Sequence, residues 1–176
     1  MIKRQNGFTL VELLIVISII SILTVITVTQ FQSAKRKAND VARKGDLNSV
    51  SKSLQLYFTD YGLFPASSAL SGGNIALNAS SVWGGAFEDQ TVNPAYVYMK
   101  KLPIETINPT YQYCYKVSVD LKKFALFAQL ENTSDKDCDR NGNNVADDQT
   151  YSCGGKLYCY GVTSPNTALN SDGSLQ

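Results

Sequence analysis

Glu12 is the one ionisable side chain between Phe8 and Val28, a stretch otherwise built almost wholly from Leu, Ile, Val, Ser and Thr. A charge held at membrane depth costs roughly 2.5–3.5 kcal/mol on insertion scales, so this carboxylate is expected to meet a cationic partner. A second concentration of chemistry lies far downstream. Asp137, Asp139, Asn141 and Asp148 stand at positions 1, 3, 5 and 12 of a twelve-residue loop with Gly142 at position 6. Calcium takes six to eight oxygen ligands, and a glycine at that place permits the sharp turn that gathers them, with the backbone carbonyl of Asn143 at position 7. The set Asp137, Asp139, Asn141, Asn143 and Asp148 is therefore a candidate calcium site. Asp148 is one methylene shorter than the glutamate this pattern prefers, which weakens two-oxygen closure of the loop.

What is missing narrows the chemistry further. The chain has no histidine, which removes the commonest general base and metal ligand. A net charge of +1 gives no reason to expect nucleic acid as an obligatory partner. No nucleophile–base pair is evident, so an enzyme is not expected.

These residues need elements to hold them. From Phe8 to Val28 there are about twenty apolar residues, the length a membrane-spanning helix needs. A polar leader, Met1 to Gly7 with Lys3 and Arg4, precedes it, and no small-residue cleavage site follows Val28. An ordinary secretory signal is thereby excluded, and the expected cut falls before the apolar run, between Gly7 and Phe8. Beyond it, Leu47, Val50, Leu54, Tyr57 and Tyr61 recur at spacings of three and four, one apolar helix face. Asp40, Arg43, Lys44, Asp46 and Lys52 are expected on the solvated side. With no proline from Phe8 to Phe64, one long helix is predicted, ended by Gly62 and Pro65.

The run Gly7-Phe8-Thr9-Leu10-Val11-Glu12 resembles the prepilin leader of the type IV pilin and type II secretion pseudopilin superfamily. The resemblance implies that a prepilin peptidase cuts after Gly7 and methylates the new amine of Phe8. It also implies that Glu12 pairs with the N-terminus of a neighbouring subunit during assembly. The chain departs from the family in having Ser21 and Thr29 where many members carry a helix-breaking glycine and proline. The calcium-type loop resembles those of dockerins and thrombospondin repeats, and formally the EF-hand.

The remainder reads as a head. Residues 66–91 are rich in Ser, Gly, Ala and Asn without periodicity, a long variable loop, with Trp83 and Phe87 as its anchors on the core. Tyr111, Tyr113, Tyr115 and Val117 alternate with polar residues, a strand whose tyrosine face is expected toward the helix. Phe124 to Leu130 makes a second strand, and Tyr151 to Val162 a short hairpin at the sheet edge. Thr163 to Gln176 is polar and expected to fray. Cys114, Cys138, Cys153 and Cys159 lie beyond the apolar segment, and an even count on an exported domain predicts two disulfides in any of three pairings.

The expected fold class is α+β, pilin-like: a long N-terminal helix packed on a small antiparallel sheet. The organisation is a leader (1–7), a transmembrane and assembly helix (8–28), its amphipathic half (29–61), a variable loop (62–95) and a sheet head (96–176). The implied function is that of a structural subunit of a type IV pilus-like filament. The alternatives are a pseudopilin of a type II secretion system, or a minor tip pilin acting as a ligand- or DNA-binding module. The implied partners are homo- or hetero-oligomeric filament subunits, the prepilin peptidase, an inner-membrane assembly platform, and membrane lipid before assembly. The implied location is the inner membrane in a single pass with the head outside the cytoplasm, then a surface filament or periplasmic pseudopilus.

Overall fold

The computed structural model describes residues 7–68, 73–75, 82–132, 134–138, 151–170 and 172–176. Helix α1 runs from Leu10 to Tyr61. It ends where the sequence places the stop: Gly62 takes φ +68°, a conformation glycine adopts at little cost, and donates its N–H to the Phe58 carbonyl at 2.8 Å. The chain divides into two compact units, Met1–Ala38 and Asn39–Gln176.

The second unit is an α+β head. Its central sheet has three antiparallel strands in the order β5 (Cys114–Val117), β6 (Phe124–Ala128) and β9 (Tyr160–Thr163). Three two-stranded ribbons surround it: β1 (Ser67–Ser68) with β2 (Asn74–Ile75), β3 (Phe87–Asp89) with β4 (Tyr96–Met99), and β7 (Tyr151–Cys153) with β8 (Lys156–Tyr158). The segment predicted as one C-terminal hairpin therefore splits. Its first part pairs with itself, and β9 alone joins the sheet, Leu126 facing Val162.

One face of the sheet packs on the helix. Leu47, Val50 and Leu54 are fully buried with Phe64, Phe87, Tyr113, Tyr115 and Phe124, as the spacing of three and four requires. Trp83 packs against this cluster with its ring 5.5 Å from that of Tyr113, and Phe87 is buried within it, so both anchor their loop. That loop holds strands β1, β2 and β3 in its described part. Gly73 is required there: at φ +77° its carbonyl accepts the Tyr115 N–H, and a Cβ would lie 2.3 Å from Cys114 Sγ.

The other face is covered as well, which makes every residue of β6 buried. Ala125, Phe127 and Cys114 pack there with Tyr158, Tyr111, Leu169 and Leu175. The C-terminal segment is thus not frayed. Leu169 and Leu175 form an antiparallel bridge, the Ser152 N–H donates to the Asp172 carbonyl, and Lys116 Nζ donates to the Gly173 carbonyl at 3.0 Å. Two leucines suffice to anchor this tail, too few to show any period. Disulfides join Cys114 to Cys153 and Cys138 to Cys159.

Candidate assembly site

The site begins at Thr9. Its hydroxyl accepts the Glu12 N–H at 3.2 Å, while Glu12 Oε2 accepts the Thr9 N–H at 2.9 Å and the Thr9 hydroxyl at 2.7 Å. This is a capping box: Thr9 is the N-cap, Glu12 stands three residues on, and the side chain of each accepts the orphan backbone N–H of the other. The carboxylate is thereby held within one residue of Phe8, whose side chain is 81% exposed outside the helix. A cleavage between Gly7 and Phe8 would release an amine beside a carboxylate already turned back toward it.

Beyond the cap, the described apolar side chains through Phe31 are all exposed, and none of the most apolar window is buried within the chain. Full burial of one Leu, Ile or Val contributes about 1.5–3 kcal/mol, so a stripe of this length is unsuited to water. Four of its hydroxyls are satisfied within the helix. Ser18 donates to the Ile15 carbonyl, Ser21 to Ile17, Thr24 to Ile20 and Thr27 to Leu23, at 2.7–2.8 Å. Back-bonding of this kind lets Ser and Thr sit in hydrocarbon without exposing a free polar group. The helix runs unbroken through this region.

The helix changes character at Asp40. Asp40 and Arg43, predicted on the solvated side, are 2% and 3% exposed. Arg43 donates to Asp40 at 2.8 Å, to Glu131 at 2.6 Å and, through Nε, to Glu105. The spare carboxylate oxygens are also occupied: Asp40 accepts the N–H groups of Glu131 and Asn132, and Glu105 those of Ile107 and Asn108. Burial opposes the Arg43 charge, yet its bonds to Glu105, Glu131 and Asp40 outweigh that and hold the guanidinium protonated well above its ordinary range. Burial likewise opposes ionised Glu105, and Arg43 with the two backbone amides holds its carboxyl below the usual range. One turn on, Lys44 bonds Asp135 at 2.9 Å and Asp137 at 2.6 Å, with Nζ 5.1 Å from the Tyr160 ring centre. These contacts tie residues 40–44 to the loops at 105–108 and 131–137.

The comparisons with known proteins bear on the first of these sites. Residues 2–28 match the family described as the prokaryotic N-terminal methylation motif. The type II secretion system core protein G of Pseudomonas aeruginosa is 30% identical over 64 residues. That alignment takes in 36% of this chain and 45% of the relative, so less than half of the relative's length is matched. The chain thus carries a prepilin-type N-terminal methylation motif and is similar, over part of its length, to a type II secretion core protein. No solved structure matches it.

The sequence-predicted residues fall into separate places. Gly7, Phe8 and Glu12 lie together at the helix start. Of the calcium-type loop, only Asp137 and Cys138 are described, while Asp139, Asn141, Asn143 and Asp148 lie outside the described residues. Asp137 Oδ2 is taken by Lys44, and among the described residues no group of three or more His, Cys, Asp or Glu is placed to hold a metal. Sequence reasoning missed two devices. The capping box was present as Thr9-Leu10-Val11-Glu12 ahead of an apolar run. The ionic clasp was present in the spacing, because 40 and 43 continue the three-and-four stripe of 47, 50 and 54.

Proposed function

We propose that the chain is a structural subunit of a type IV pilus-like filament. Prepilin peptidase cuts it after Gly7 and methylates the Phe8 amine, and it is assembled from the inner membrane with its head on the far side. The observation that carries this is a long apolar helical face that none of the described residues covers, opened by a single carboxylate five residues after the expected cut and bonded back to Thr9. Such a face is stable in a bilayer or against copies of itself. Assembly then transfers it from lipid to the filament interior, where Glu12 accepts the amine of a neighbouring subunit.

A second reading, a pseudopilin of a type II secretion system, is supported by the name of the Pseudomonas aeruginosa relative. Both share the same mechanism and differ in the machine that uses the subunit. We also propose that the 137–148 loop binds calcium. The support is its oxygen spacing with Gly142, and the Cys138–Cys159 disulfide that closes its base. Asp137 would then be shared between the ion and Lys44.

The assembly reading is tested with Glu12→Leu in the native host. Membrane insertion, cleavage and head folding should be unchanged, while the sheared filament fraction falls at least ten-fold. Filament yield equal to wild type would remove the proposed role of Glu12.

A further inference from the structure

At the far end of α1, the rings of Tyr61, Tyr57, Tyr98 and Tyr96 touch in succession, with centroids 4.6 Å apart for 57–61, 5.2 Å for 57–98 and 4.8 Å for 96–98. Tyr61 and Tyr96 present this array to the outside at 45% and 48% exposure. Two carboxylates lie along it. Asp60 accepts the Tyr98 hydroxyl at 2.9 Å, and the nearly buried Asp89 accepts the Tyr61 hydroxyl and the N–H of Thr91. Among the described residues neither is ion-paired, so their charge is hydrogen-bonded but not neutralised. The opposite imbalance stands earlier on the helix. Lys35, Arg36 and Lys37 are consecutive, exposed, and without an ion pair among the described residues.

We infer that this tyrosine face, with Asp60 and Asp89 along it, receives the Lys35-Arg36-Lys37 segment of a second copy of the chain. The chemistry matches in two ways. Aromatic faces attract guanidinium and ammonium groups, most strongly where water is excluded, and tyrosine and arginine recur at the centres of protein interfaces. Complementary fields also fix the register in which two surfaces meet, a role that contacts between featureless apolar helices cannot perform. The inference rests on the reading of the chain as a filament subunit and adds which surfaces meet.

Two copies of the full-length chain are co-expressed in the host, one with Asp60→Asn and the other with Lys35→Arg and Lys37→Arg, and the assembled fraction is treated with a zero-length carbodiimide. Mixed cross-linked peptides joining Lys35 or Lys37 of the first to Asp60 of the second, which only two copies can form, are expected. Arg36→Glu and Asp60→Arg should each lower the assembled fraction at least five-fold, and the two combined in one chain should restore it to within two-fold of wild type. Assembly of wild type with neither the mixed cross-link nor the rescue overturns the inference and leaves the filament reading intact. Loss of binding to vesicles of phosphatidylglycerol by Arg36→Glu, with assembly unaffected, assigns the cations to lipid phosphate and also overturns it. Wild type that forms no oligomer of any kind contradicts the filament reading, and this inference with it.

Discussion

The two parts of helix α1 carry charge in opposite ways. Every described side chain from Gly7 to Ala38 is exposed, including Lys35, Arg36 and Lys37, and none of those cations has an ion partner among the described residues. A few residues later Asp40 and Arg43 are buried, and Lys44 is bonded to two carboxylates. Both stretches carry charged side chains, and the environments of those charges differ. The later stretch is completed by its own chain, through Glu105, Glu131, Asp135 and Asp137. The earlier one offers a carboxylate bonded to Thr9, and apolar area and three cations that none of the described residues covers or pairs. The second half is folded by its own chain, and the first is the part on which the proposed assembly chiefly rests.

The largest effect separating the halves should come from Arg43. Arg43→Met leaves Asp40 and Glu105 buried without their cation, and breaking a buried pair in this way costs about 3–5 kcal/mol. Urea denaturation of the soluble part from Gln32 onward should show that loss, whereas Arg36→Ala should stay within about 0.5 kcal/mol of wild type. Equal effects from the two would erase the contrast. Next come the disulfides, which span 39 and 21 residues. Loop-closure entropy gives about 4 kcal/mol for Cys114–Cys153 and about 3 kcal/mol for Cys138–Cys159, measurable by replacing each pair with serine.

Acid should loosen the ionic clasp of the second half. Glu105 and Asp135 have carboxyl groups held below their ordinary range, by Arg43 with backbone amides and by Lys44 respectively, against the opposing effect of burial. A lowered folded value means that the unfolded chain binds more protons in that window. The stabilisation is therefore full above the ordinary carboxylate range and is lost as pH falls through the folded values. Glu105→Gln should flatten the acid limb of a stability–pH curve, and an unchanged limb would deny the clasp that role. The smallest shift should come from calcium. At millimolar ion and a dissociation constant of roughly 10⁻⁴ M, the added stability is on the order of 1 kcal/mol. Chelator should lower the melting temperature of the head by a few degrees, and Asp139→Ala should abolish the difference while Asp120→Ala preserves it.

Much of the architecture was legible because it rests on local periodicity. Leu47, Val50 and Leu54 were readable as a core stripe, Tyr113 and Tyr115 as the inward face of a strand, and Gly62 as the helix stop. The clasp was not, for a physical reason. A charged residue in an apolar register is ordinarily solvated, and the partners that reverse this for Arg43 lie 62 and 88 residues away in loops without a period. The tail was misjudged for a related reason. Leu169 and Leu175 cover Phe127 and Tyr158, yet two leucines among polar residues carry no signal. At the N-terminus the motif was plain, but the mutual bonding of Thr9 and Glu12 was overshadowed by the pairing role that the resemblance implies for the carboxylate.

That role presupposes a mature chain beginning at Phe8. Intact-mass and N-terminal fragment spectrometry of the protein recovered from membranes and from the assembled fraction reads this directly. The account predicts a single N-terminus, Phe8 carrying one added methyl on its amine, in both fractions. An assembled protein that retains Met1 to Gly7, or one that starts beyond Val28, would contradict it.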